Sequence, residues 1–506
     1  MQYNEQLAQY GILAKNAKAY EMRQDKIILS NIEIEEIDLK TLEEQKIKEL
    51  VIENSKINNL LFAQINNIKL FFGCCNFKNQ VIAREHNFIN TIAFTQCIFE
   101  TIVDFSGATF NCQTTFLNSI FKAEAFFDHA EFQGGVSFEM SRFKAETSFI
   151  NTKFSAKQGN NKIAKNNFQD TIFEGYTFFD HAEFKGRVNF ESSRFKDEVL
   201  FVAINLDKCI FDHIEFNKTK FIKIDYKNAE TCTFRNSTFK DTLSFENTDI
   251  SKLEFDNVVF NGIVTFNEAN FSNKPSFTNC TFSNQFNIEH QYIKYSYEDI
   301  IEETQDYSQL LNYRDLFRKL KSNRIAHHNL IDASELHSQE LYAREFELQQ
   351  KETKTIKEHI EKWQLWFYHK LCDHHTDLLL NLKWLIIAIG LFASLYFISR
   401  LIQDISILEI LNPFGICFSI ACAFIALILY WFRHIERLDF FASINAVITL
   451  WIICYKPQLI FGIANLLGNI KYNGFENFLI TIYTIVIGLI IFSLQKTARK
   501  NSIVPN

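Results

Sequence analysis

A chain of 506 residues exceeds what one ordinary hydrophobic core organises, so more than one domain is expected. With 52 Lys+Arg against 59 Asp+Glu, its net charge of −7 is mild for this length and argues against a phosphate-binding surface. The eleven Cys are scattered without paired metal spacing, which favours a reducing compartment over a disulfide framework.

Residues 1–26 are polar and charged, unlike a signal peptide. Leu7, Tyr10, Leu13, Ala17 and Tyr20 have helix-like spacing, which predicts an N-terminal helical cap over the otherwise unpaired first edge of a repeat domain. Over residues 27–88 a five-to-six-residue apolar step emerges at Ile52, Ile57, Phe62, Phe72, Phe77, Ile82 and Phe88. It has one gap of ten, between Phe62 and Phe72, and a charged break at 40–49.

The pattern then sharpens into a ladder: Phe94, Phe99, Phe105, Phe110, Phe116, Phe121, Phe127, Phe132, Phe138, Phe143, Phe149 and Phe154. Steps of five and six alternate, so the unit is eleven residues. Such steps hold no single stripe on a 3.6-residue helix, and the Thr, Asn, Ser and Gly content suits short strands and turns. A unit this small buries its ring only against its neighbours, so the units must stack into a solenoid. The residue two before each Phe faces the same side. Those ahead of a five-step Phe are small (Cys97, Ala108, Ser119, Ala130, Ser141, Thr152); those ahead of a six-step Phe tend to be β-branched (Val103, Thr114, Ala125, Val136, Thr147).

After Phe154 the ladder jumps fourteen residues to Phe168; the polar segment "SAKQGNNKIAKNN" is about eight residues too long and predicts a loop. "FFDHAEFQGGVSFEMSRFK" (126–144) recurs as "FFDHAEFKGRVNFESSRFK" (178–196), an internal duplication. His129 and His181 recur by copying, which argues against either as a dedicated ligand. From Phe201 the steps are nearly pure fives; they turn irregular near 229–233 and resume from Phe234 to Phe282. At about 4.8 Å per coil, the ladder predicts ten or so coils spanning about 50 Å.

The Phe-centred segments "FSGATF", "FDHAEF" and "FEMSRF" resemble the pentapeptide-repeat family. That resemblance implies a right-handed, four-sided (quadrilateral) β-helix over residues 27–290. The six-residue steps depart from the family's five and are read as a wider corner on every second side.

Residues 291–380 switch to helical spacing. "YRDLFRKLKSNR" and "ELYAREFEL" predict a helix–turn–helix connector, and Leu310, Leu311, Leu316, Phe317, Leu320, Ala333 and Leu336 recur at helical spacing. Trp363, Trp366, Phe367 and Tyr368 read as an interfacial aromatic belt. A transmembrane domain over 381–500 comes next, with four predicted helices at 384–402, 410–432, 440–455 and 475–494. Lys370, Lys383, Arg433, Arg437, Lys496, Arg499 and Lys500 fall on one side, and Arg400, Lys456 and Lys471 on the other. The positive-inside rule then predicts that both termini and the solenoid are cytoplasmic, and the family resemblance implies a bacterial inner membrane. The connector junction loosely resembles that of membrane-attached bacterial pentapeptide-repeat proteins.

The metal candidates are His369, Cys372, His374 and His375. Adjacent His374 and His375 would point to different faces of a helix, and no second Cys/His cluster completes the set. The preferred reading is therefore polar interfacial side chains and no metal. Residues 456–474, with Gly462 and Gly468, read as an amphipathic external segment in preference to a re-entrant pore loop. Some relatives in the resembled family end in two-span cation channels, but no Thr-Val-Gly-Tyr-Gly filter occurs here. Asn445 and Thr449 read as interhelix hydrogen-bond glue. Soluble members of that family mimic DNA by acidity; residues 91–290 hold 20 Lys+Arg against 26 Asp+Glu, interspersed, which is no acidic rod. No phosphate loop, nucleophile elbow or His-Glu metal helix is present. The expectation is a non-enzymatic membrane scaffold with no cofactor and no nucleic acid. Its partners would be the lipid bilayer and unidentified proteins, and a homo-oligomer is compatible with the reading. The alternative is a channel or transporter-like domain with the solenoid as its regulatory or assembly module.

Overall fold

The ladder residues do what their spacing requires. Phe94, Phe105, Phe116, Phe127, Phe138 and Phe149 are all fully buried, as are the intervening rings at 99, 110, 121, 132, 143 and 154. The computed structural model describes residues 2–15, 20–23, 25–155, 166–185, 188–204, 209–224, 232–271, 273–298, 300, 307–403, 405, 412–455, 460 and 472–498. The chain divides into two units, Met1–Lys294 and Tyr295–Asn506.

The first unit is a β-solenoid of about eleven turns. One coil runs through Val81–Ile82, Asn87–Phe88, Ile92–Thr95 and Ile98–Phe99; Val103–Asp104 then lies parallel on Val81–Ile82. Four sides result. Two are thirteen-stranded sheets, one is nine-stranded, and one comprises a six-stranded and a two-stranded sheet. Ile98 pairs with Ile120 and Phe99 with Phe121, so a coil holds 22 residues, two of the eleven-residue units. Across 155–167 the pairs become Phe143 with Phe173 and Phe154 with Phe184, a spacing of 30. The surplus is eight residues, as the ladder implies; the intervening residues 156–165 lie outside the described ones. Where the steps become pure fives, Val199 pairs with Thr219 and the coil shrinks to 20.

The alternation of five and six has a backbone cause. Two corners of each coil carry one residue in the left-handed region. Gln96, Asn118, Met140, Asp170 and Ser192 hold one corner; Glu85, Gly107, His129, Asn151 and His181 hold the other. A left-handed residue turns the chain sharply, so the step across it is five. The other two corners take six and, Gly135 apart, show no left-handed residue among the described ladder residues. His129 and His181 are therefore corner residues, of a type that tolerates positive φ.

The small inward residues also have a second task. Ser119 Oγ donates to Phe94 O (3.1 Å), Thr171 Oγ1 to Phe138 O (2.8 Å), Ser193 Oγ to Phe168 O (2.6 Å) and Cys97 Sγ to Phe72 O (3.2 Å). Each adds a donor to a buried carbonyl at the sharp corner; Phe138 O and Phe168 O also accept from the backbone N–H of Ser141 and Thr171. Cys97, Cys232 and Cys280 are buried and act as small residues here, while Cys209 is half-buried.

Coils approach most closely at the corners. A Cβ on Gly134 would lie 2.1 Å from the Cys112 carbonyl carbon. Gly134→Ala is therefore expected to destabilise the solenoid by about 2–3 kcal/mol, read as a lower midpoint of the far-ultraviolet circular dichroism transition.

Three sequence expectations change. The lead-in is not one helix: α1 covers only Gln2–Gln9. Ile12–Lys15 then pairs antiparallel with Glu33–Asp38, and Tyr20–Arg23 antiparallel with Lys26–Ser30, so the end of the solenoid is closed by strands as well as by a helix. The charged break at 40–49 is α2, Leu39–Glu44, capped by Asp38 accepting from Lys40 N–H. Ile82 points outward, half exposed, because Val81 and Ala83 take the inward positions on that strand. The gap of ten is filled by Asn66, which aligns with Phe88 and bonds inward to Ala63 O and N–H, while the Phe62 ring packs edge-on to Phe88 and Phe105. At the far end Phe286 packs on Phe282, and Tyr292 packs on Phe266 and donates to its carbonyl.

The second unit is helical. An antiparallel pair, α3 (Tyr307–Ala326) and α4 (Leu330–Gln350), buries Leu316, Phe317, Leu320, Ala333 and Leu336. The side chain of Leu310 is outside the described set. Helix α5 (Ile356–Cys372) opens on a capping box between Thr355 and Glu358. Trp363, Trp366 and Phe367 are exposed along it, as an interfacial belt requires. Among the described residues, four helices are long and apolar enough to cross a membrane: α6 (Leu378–Gln403), α7 (Pro413–Trp431), α8 (Arg437–Tyr455) and α9 (Gly474–Ala498). They overlap the four predicted spans. The least apolar is α8, with mean hydropathy 1.5.

Candidate functional site

Helix α5 ends at Cys372, and the chain reverses through Asp373, His374 and His375 before α6 begins. All three have positive φ, at 49°, 49° and 69°. Three consecutive side-chain-bearing residues in the left-handed region are costly, of order 1–3 kcal/mol each, and persist only where packing over-determines them. Here Asp373 Oδ1 accepts from Tyr342 Oη of α4 (2.5 Å), and Thr376 Oγ1 donates to Asp373 O (2.6 Å).

This turn, not a helix, separates the two histidines. His374 swings toward α4 and His375 toward α9. The four predicted candidates therefore split into two groups. His369 and His374 meet Glu345 of α4: His369 Nδ1 is 2.9 Å from Glu345 Oε2, and His374 Nε2 is 3.4 Å from the same oxygen. The three ligand atoms lie within 4.8 Å of one another, and the two imidazoles stack at 5.5 Å. Tyr297 packs edge-on to His369 at 4.5 Å, and Tyr342 lies 5.3 Å from His374. Burial acts to raise the Glu345 carboxyl, but the two imidazoles beside it hold it down at about 2. Burial pushes the His374 imidazole below its ordinary value against the pull of Glu345.

Cys372 and His375 form the second group. His375 Nδ1 is 3.4 Å from Cys372 Sγ, and Ser493 Oγ of α9 donates to that sulfur at 3.1 Å. Asn381 Nδ2 of α6 donates to Ser493 Oγ (2.9 Å), so this group stitches the turn to α6 and α9. Burial, and then the Lys496 ammonium, lower the His375 imidazole to about 4. It is neutral at neutral pH and serves as a polar packing element.

A third cluster sits at the opposite ends of α6 and α9. Glu476 is fully buried; Arg400 Nε stands 2.8 Å from its Oε1, Gln403 Nε2 donates to that oxygen (3.2 Å) and Asn473 N–H to Oε2 (3.0 Å). Arg400 also stacks over Tyr396 and Tyr472 at 5.4 and 5.3 Å.

Asn445 and Thr449 do not glue helices together by the bonds expected. Asn445 Nδ2 donates to Phe441 O and Thr449 Oγ1 to Asn445 O, both within α8. What α8 uses instead is close approach: a Cβ on Gly390 of α6 would lie 2.4 Å from Asn445 Oδ1. The interhelical bond runs from Trp451 Nε1 to Ser419 Oγ of α7 (2.7 Å). Of the segment at 456–474, residues 456–459 and 461–471, with Gly462 and Gly468, lie outside the described residues; so do Arg499 and Lys500.

Sequence reasoning missed Glu345, Tyr342 and Glu476. Glu345 lies 24 residues before His369, and no linear spacing links them. Tyr342 and Glu345 are three apart on one face of α4, which is a helical pairing signal without a chemical one. No family model, no curated protein and no solved structure matches this chain.

Proposed function

We propose that this chain is a membrane-anchored pentapeptide-repeat protein. Its solenoid, on the cytoplasmic side of a bacterial inner membrane, acts as a non-catalytic scaffold for protein partners. The observation that carries this reading is the closed interior. The largest fully buried side chains among the described residues are ladder phenylalanines, which fill the coil interior and leave the outer surface to meet a partner. Its usable chemistry is the repeated outer surface, and the same chain carries four helices apolar enough for a bilayer. That surface is ordered by ion pairs between coils, such as Glu100 with Lys78 (3.4 Å) and Lys122 (2.7 Å), and Glu174 with Lys196 (3.0 Å). Solvated pairs of this kind add little stability but set a fixed charge pattern for a partner to read.

Photocrosslinking tests the proposal. A photoreactive residue is placed in the full chain at Arg142, Phe178, Glu183 or Asn189, one outward position on each side. A discrete, saturable protein adduct from one or two sides is the expected result. A smear from all four, or none, sinks the scaffold reading.

A second reading, ion conduction, draws on the buried Arg400–Glu476 pair, because ionisable groups among membrane helices often mark ion paths. Both Glu476 oxygens already have donors, from Arg400, Gln403 and the Asn473 N–H, as a static clamp would have it. Planar-bilayer recording of the purified chain is expected to be silent; reproducible unitary currents would reverse the ranking.

A further inference from the structure

We propose that Glu345, His369 and His374 form a binding site for a divalent first-row transition metal of the zinc class. The site joins α4, the last turn of α5 and the left-handed turn beyond it.

Three independent features carry the inference. The first is spacing. Metal–ligand distances of about 2.0–2.1 Å put neighbouring ligand atoms of a tetrahedral ion about 3.3–3.4 Å apart. The His374 Nε2–Glu345 Oε2 separation is 3.4 Å, and the His369 Nδ1–Glu345 Oε2 separation is 2.9 Å. These two separations bracket the ideal figure, and the third pair of ligand atoms lies within 4.8 Å.

The second is an unanswered polar group. The His374 side chain is 1 % exposed, yet among the described residues neither of its ring nitrogens has a hydrogen-bond partner. The 3.4 Å approach of Nε2 to Glu345 does not meet hydrogen-bond geometry. A buried imidazole left so costs the desolvation of both nitrogens. An ion bonded to Nε2 answers one of them, and no described residue does.

The third is donor chemistry. Two imidazoles and one carboxylate suit zinc, iron, cobalt or nickel, and do not suit calcium or magnesium, which need oxygen cages. His369, with its side chain 15 % exposed, keeps a way in from solvent and leaves a fourth position for water. Cys372 and His375 are excluded from the set because the left-handed turn directs them to Ser493.

The test uses the full chain in detergent, stripped with a chelator and titrated with cobalt(II) and then zinc(II). One equivalent of cobalt with ligand-field absorption, displaced by one equivalent of zinc and accompanied by a rise in melting temperature, is expected. Glu345→Gln and His369→Ala should each weaken binding at least about tenfold, as loss of even an outer-shell partner does. Cys372→Ala should leave affinity unchanged. X-ray absorption of the zinc-loaded wild type, which needs no variant to fold, should show only nitrogen and oxygen around the ion. Sulfur in that shell, binding retained in both triad variants, or no stoichiometric uptake by the wild type would each overturn the proposal.

Discussion

Truncating Phe138 to alanine is expected to lower solenoid stability by about 3–5 kcal/mol, at the top of the range for core aromatics. The ring stacks between Phe116 at 5.0 Å below and Phe168 at 5.2 Å above, and meets Phe127 and Phe149 edge-on at 5.2 and 5.6 Å. Each such pair adds roughly 0.5–1.5 kcal/mol beyond area burial. Coils touch only their neighbours, so a missing ring weakens two interfaces at once and the stack cannot repack around the gap. The chain provides its own control. All five Trp, from Trp363 on, belong to the second unit. Circular dichroism of the strands should therefore lose its transition at lower denaturant while tryptophan fluorescence keeps its midpoint. A strand transition shifted by less than about 1 kcal/mol would refute the stacked core.

Arg400→Met should cost the helical unit about 3–5 kcal/mol, because it strands a fully buried Glu476 carboxylate. Gln403 and the Asn473 N–H remain as donors, but neither carries charge. Replacing both partners, Arg400→Met with Glu476→Met, is expected to restore most of the loss, since an apolar pair of similar volume removes the uncompensated charge. Tryptophan fluorescence during detergent-mediated unfolding measures both variants. Equal destabilisation of single and double variants would show that Arg400 acts by its stem and its stacking on Tyr396 and Tyr472, and not by neutralising Glu476.

The ladder was legible because each coil repeats the same constraint: a ring must face inward at every side, and a small or β-branched residue two before it must share that face. Even there the reading slipped where residue type and direction part. Ile82 is as apolar as Val81, and only the pairing of Val81 with Val103 decides which of the two points inward. Asn66 holds an inward position because its amide finds Ala63 O and N–H, a bond that composition does not announce. The capping strands Ile12–Lys15 and Tyr20–Arg23 were hidden by residues with helical spacing, since the edge they cover exists only once the coils have stacked.

What the order of residues determined by itself is everything that recurs at short range. The period of eleven, the eight-residue surplus before Phe168, the change of period after 291 and the four apolar runs each depend on neighbours close along the chain. The grouping of polar side chains was decided only by tertiary structure. Three left-handed residues after α5 send His374 to Glu345 and His375 to Ser493, and the packing of α6 on α9 brings Arg400 to Glu476 from 76 positions away. The reason is physical: periodic burial is enforced by every repeat, whereas a polar contact between distant residues is specified once, by the geometry of a single turn or crossing.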